Sequence, residues 1–80
     1  MDAKAVEALV RGAFDDAEVY VDGSGANYDI TVVSDVFEGM RPVKKQQSVY
    51  AALNEYIADG SIHAINIYTH TLAEWQSRSA

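Results

Sequence analysis

The stretch PVKKQQSVYAALNEYIADGSIHAINIYT, from Pro42 to Thr69, decides the fold. Pro42 suits the first position of a helix, where its missing N–H leaves no bond unmade. Val43, Tyr50, Leu53 and Ile57 supply an apolar stripe. The helix should stop near Asp59-Gly60, where glycine adopts the left-handed terminating conformation. Ile62 to Thr69 then reads as a strand rich in β-branched and aromatic residues. A strand reached through a helical crossover runs parallel to the strand before it if the two pair, and the connection is right-handed.

Upstream, Glu18 to Val21 and Tyr28 to Ser34 have strand composition, and the DGSGAN between them carries turn glycines, so a β-hairpin with a slightly long loop is expected. Before it, Val6, Leu9, Val10 and Phe14 recur at helical spacing, with Asp2 placed to cap a helix over about Ala3 to Phe14. VFEGMRP, after Asp35, is an irregular or single-turn connection. Thr71 followed by Glu74 is a capping box, which starts a short last helix and presses Leu72 and Trp75 onto the domain. The order is α-β-β-α-α-β-α if the turn before the long helix is counted. It predicts one α+β domain over residues 1–80, a three-stranded mixed sheet with helices covering one face. No internal repeat, linker or low-complexity segment interrupts it.

Composition sets further bounds. With 49% hydrophobic residues, 10% aromatics and one proline, the chain can build a core. At 80 residues it should do so with a stability of about 5 kcal/mol. There is no cysteine. The chain by itself therefore has no disulfide, thiol nucleophile, zinc knuckle or redox pair, and a reducing, cytoplasmic setting is expected. The first residues are amphipathic and partly acidic, unlike a signal peptide, and no segment has the length of a membrane span. Twelve acidic against six basic side chains give a net charge of −6, which repels nucleic acid and anionic membranes and favours protein partners.

Few residues suggest chemistry. His63 and His70 are seven positions apart, roughly 23 Å in an extended strand, and of opposite parity, so they cannot share a metal ion. His70 reads as a solvated residue beside a turn. His63, entering a strand at the sheet margin, is on spacing alone more readily a hydrogen-bonded structural histidine than a ligand. The G-x-G in DGSGAN joins two strands and opens no helix, so it is not a nucleotide fingerprint. Arg41, Lys44 and Lys45 form a basic cluster at a helix N-terminus, suited to a phosphate or an acidic partner, or simply solvated. The five tyrosines are scattered over several elements, as packing residues are. No serine stands with a base and an orienting acid, and no enzymatic activity is expected.

Phe37-Glu38-Gly39, the run Val43 to Gln47, Ile62-His63-Ala64 and Thr71 to Trp75 together resemble the BolA family, most closely its short bacterial, IbaG-like branch, over nearly the whole chain. The resemblance implies a fold like the class II KH domain. It also implies a part in iron and redox regulation or stress response with monothiol glutaredoxins, through a shared [2Fe-2S] cluster. His63 matches the family's cluster ligand, with the glutaredoxin cysteine and glutathione supplying sulfur. Such a cluster needs four ligands, mostly thiolates, so a cysteine-free chain can complete a shared cluster but not hold one alone. With the resemblance added, His63 is the expected ligand. The family's usual His or Cys in the hairpin loop corresponds here to Asn27, a poor iron ligand. Either Asp22 or Asp29 reaches in, or the cluster is held weakly, or the main complex is cluster-free. A monomer alone or a weak homodimer is expected. A competing implication is nucleic-acid binding by a KH-like surface, for which Gly39-Met40-Arg41-Pro42 lacks the second glycine of the backbone-clamping loop.

Overall fold

In a computed structural model that describes residues 2–24 and 27–78, each α-helix begins where a local signal places it. Asp2 Oδ1 accepts the Ala5 N–H at 2.9 Å and starts α1, Ala3–Ala13, which buries Val6 and Val10. The sheet consists of β1 (Glu18–Ser24), β2 (Asn27–Val33) and β3 (Ala64–His70), in that order. The central β2 runs antiparallel to β1 and parallel to β3. A 3-10 turn, Asp35–Phe37, precedes α2, Pro42–Ala58, with proline in its first turn. Gly60, at φ 85°, stands just after the Asp59 C-cap of α2. The expected α+β order, mixed sheet and parallel crossover are all present.

Val19 of β1, Tyr28, Ile30 and Val32 of β2 face the helices with Val6, Val10, Val49 and Leu53, and all are buried. Ile65 and Ile67 of β3 complete that face, opposite Tyr28 and Ile30 in the ladder. The stripe of α2 differs from the one expected. Val43 is 67% exposed and Tyr50 is also exposed, while Val49 and Leu53 are fully buried, with Ala52, Tyr56 and Ile57 beside them. These five follow the i, i+3, i+4, i+7, i+8 spacing of a core-facing helix. Tyr50 lies one residue, about 100° of helical rotation, from Val49.

Two boundaries also move. The hairpin ladder continues through Asp22↔Asp29 and Gly23↔Tyr28 to Ser24↔Asn27, so most of the expected loop is strand. Gly23 makes this continuation feasible, with a φ of 125° that other residues rarely adopt. Gly25 and Ala26, the rest of that loop, lie outside the described residues. His70, expected beside a turn, is the last residue of β3, and its carbonyl accepts the Ser34 N–H at 2.9 Å.

The last helix, α3 (Leu72–Ser77), opens with the expected capping box. Glu74 N–H donates to Thr71 Oγ1 at 3.2 Å and Thr71 N–H to Glu74 Oε1 at 2.7 Å. It brings Trp75 to the sheet face opposite α1 and α2, so the helices do not all cover one face as expected. There the indole stacks on Tyr20, with centroids 5.3 Å apart and planes at 17°, beneath Arg78 at 3.4 Å. The bond from Thr71 N–H, aided by the charge of Lys45, holds the Glu74 carboxyl below the usual glutamate range despite the opposing effect of desolvation. Because the folded value is the lower one, the cap's contribution is complete above the ordinary carboxylate range and is lost as pH falls through the folded value. Acidification below the ordinary carboxylate range should therefore loosen α3 before the core. Fluorescence of Trp75, the only tryptophan, should report this step. Glu74→Ala should abolish its pH dependence, and an unchanged titration in that variant would show that the cap is not responsible.

Candidate functional site

His63 lies just before β3, two residues after Ser61, whose N–H donates to Asp59 Oδ1 at 2.8 Å. Hydrogen bonding from the Ser61 hydroxyl, and after it from this N–H, holds the Asp59 carboxyl below its ordinary range and fixes the turn behind α2. Ile62 anchors the next step. Its side chain is buried and its N–H donates to the Tyr56 carbonyl at 3.0 Å. His63 therefore follows a tethered residue, while its own side chain is exposed. No hydrogen bond, ion pair or ring contact joins its imidazole to another described residue. The structural role that spacing alone favoured has no partner here.

The ladder sets what stands near it. Ala64 pairs with Asn27, so His63 lies beside the end of the hairpin that carries Asn27. Asp22 and Asp29 are not loop residues; they face each other across the β1–β2 ladder. Asp29 Oδ1 accepts the Asn66 Nδ2–H at 2.8 Å. Alternation puts Asp22, Asn27 and Asp29 on the sheet face away from α1 and α2, while His63, which precedes β3, is exposed at the sheet margin. Asn66, which engages Asp29, carries no sequence signal of its own; only the parallel register pairs them.

The basic cluster is elsewhere. Arg41 is the N-cap of α2 and makes no side-chain capping bond, Lys44 is exposed, and Lys45 lines a cavity with Asp35, Glu38, Thr71 and Glu74. This is the Thr71 end of β3, while His63 is at its other end. Positive charge here meets the chain's own carboxylates, which reduces its attraction for phosphate. His70, also at that end, packs its ring against Trp75, with centroids 5.4 Å apart.

As a metal site the arrangement is incomplete. No group of three or more His, Cys, Asp or Glu able to hold a metal ion occurs among the described residues. The chain contains no cysteine. One available imidazole fits a single ligand position on a cluster whose other ligands come from elsewhere. No described helix is long and apolar enough to cross a membrane.

Comparison with known proteins identifies the family and the fold. Residues 8–74 match the family model for the BolA-like protein. The acid stress protein IbaG of Escherichia coli K12 is 43% identical over 75 residues, 94% of this chain and 89% of that protein. A DNA-binding transcriptional regulator BolA from Vibrio cholerae is 43% identical over 54 residues, 68% of this chain and 50% of that one. Among solved structures, a bolA protein homologue from Coxiella burnetii superposes with a TM-score of 0.83, covering 95% of this chain and 97% of the other at 22% identity.

Proposed function

The chain belongs to the BolA family, and from that premise we propose that it shares a [2Fe-2S] cluster with a monothiol glutaredoxin, with His63 as its one ligand. The observation that supports this most is the state of His63. It is exposed, anchored through Ile62 and uncommitted to any described neighbour. The glutaredoxin cysteine and glutathione supply the thiolates that this chain lacks. Neutral imidazole in place of a thiolate leaves the cluster less negative and raises its potential. The protein takes part in cluster binding or transfer, and the cluster is its cargo.

The test is anaerobic cluster reconstitution with a monothiol glutaredoxin and glutathione, followed by visible absorption and circular dichroism. His63→Ala should change the spectrum and speed loss of the cluster to chelators, with a near-native melting temperature because the side chain is exposed. His70→Ala should leave the spectrum alone and disturb only the Trp75 packing. Asn27→His should slow loss to chelators, since Asn27 pairs with the residue after His63. An unchanged cluster in His63→Ala would refute the ligand assignment, as would stoichiometric iron and sulfide on the partner-free protein.

A second reading, nucleic-acid binding, draws on the name of the Vibrio relative. The charge of −6 and the carboxylates beside Lys45 weigh against it. Submicromolar DNA binding at physiological salt, steeply weakened by added salt and abolished by Lys44→Glu, would make it the better account.

A further inference from the structure

At the end of the sheet remote from His63, a concavity of about 490 Å³ opens between the end of α1 and the turn after β2. Its floor includes Phe14, whose ring lies against the buried Phe37 at 5.6 Å. Its lip carries two apolar side chains with no polar reason to face water, Val36 at 51% and Leu72 at 41% exposure. The lip is held in place. Val36 N–H donates to Ser34 Oγ at 3.2 Å, and Leu72 N–H to Asp35 Oδ1 at 3.1 Å. Asp15 and Asp16 stand on the rim, exposed, and neither makes a hydrogen bond or ion pair with another described residue.

We propose that this concavity is a docking site for a segment of a second protein in which a lysine or arginine adjoins a large apolar side chain. The volume is that of a preformed binding site. The exposed Val36 and Leu72 offer apolar contact, and the uncompensated Asp15 and Asp16 select positive charge. The same rim disfavours nucleic acid. It also disfavours a second copy of this chain, which brings a further net charge of −6. His63 and His70, before and at the far end of β3, are roughly 23 Å apart, so this site and His63 can be engaged together. The inference does not depend on the cluster reading.

The test is a titration of the ¹⁵N-labelled full chain with the peptide acetyl-Arg-Leu-Phe-Arg-amide, with acetyl-Glu-Leu-Phe-Glu-amide as control. The basic peptide should give saturable shifts at Phe14, Asp15, Asp16, Val36 and Leu72, weakened by salt. Binding should fall about fivefold or more in an Asp15→Lys, Asp16→Lys double variant. Leu72→Ser should weaken it with its salt dependence retained. Both sets of changes are at exposed positions, and a native-like amide spectrum would verify their folding. The proposal is overturned by no saturable shift at peptide concentrations of about 5 mM, by shifts centred elsewhere, or by equal responses to both peptides. Shifts at these residues that follow protein concentration without peptide would assign the surface to a second copy instead.

Discussion

Phe37→Ala is expected to remove about 3–5 kcal/mol of stability, enough to leave much of the chain unfolded at physiological temperature. Phe37 closes the 3-10 turn between β2 and α2 and is fully buried. Its ring meets Phe14, the C-cap of α1, at 5.6 Å and 53°, so one side chain fixes the turn against the end of α1. Truncation to a methyl leaves a cavity that the surrounding sheet and helices cannot easily fill. A domain of 80 residues has little reserve against such a loss. Urea unfolding followed by circular dichroism measures it. Phe37→Leu should lose about 1.5 kcal/mol or less, and Val43→Ala, on the exposed side of α2, no more than about 0.5 kcal/mol. A loss under about 1 kcal/mol in Phe37→Ala would mean that its ring is not part of the core.

That residue also marks the limit of what the sequence discloses. Local chemistry placed the Asp2 cap, Pro42, the Gly60 terminator and the Thr71–Glu74 capping box correctly, because each depends on residues within one helical turn. Phe37, in a connection with no periodicity, gave no sign of burial, since only tertiary packing determines it. The α2 stripe was displaced because Tyr50 and Val49 are both apolar in composition, and the geometry that turns one inward is set by the sheet. For the site, the role proposed for His63 draws on resemblance, because spacing alone favoured a structural histidine. Its exposure became evident when β3 proved to begin at Ala64, and the pairing of Asp29 with Asn66 required the parallel register.

Gly23→Ala is expected to cost about 2–3 kcal/mol, through a contact that the sequence pattern conceals. Within DGSGAN the residue looks like one turn glycine among others, yet it is a ladder residue paired with Tyr28, at φ 125°. A Cβ built there would collide with the Asn27 carbonyl oxygen and lie 3.1 Å from the Tyr28 Cα. Both obstacles are backbone, so no rotamer change relieves them. The chain must either accept the strain or open the last rungs of the hairpin. Opening limits the loss of stability but displaces Asn27 from its place opposite Ala64 and changes what lies beside His63. Gly12→Ala is the control, because nothing lies within 4 Å of its Cβ position and alanine favours a helix; it should gain about 0.5–1 kcal/mol. Thermal melts and amide exchange distinguish the two responses of Gly23→Ala: a uniform loss of protection indicates strain, and loss confined to Asp22–Gly23 and Tyr28–Asp29 indicates opening. In the opened case a glutaredoxin-shared cluster should be more labile although His63 is intact. A cluster unaffected by an opened hairpin would show that His63 acts without the Asn27 end of the sheet.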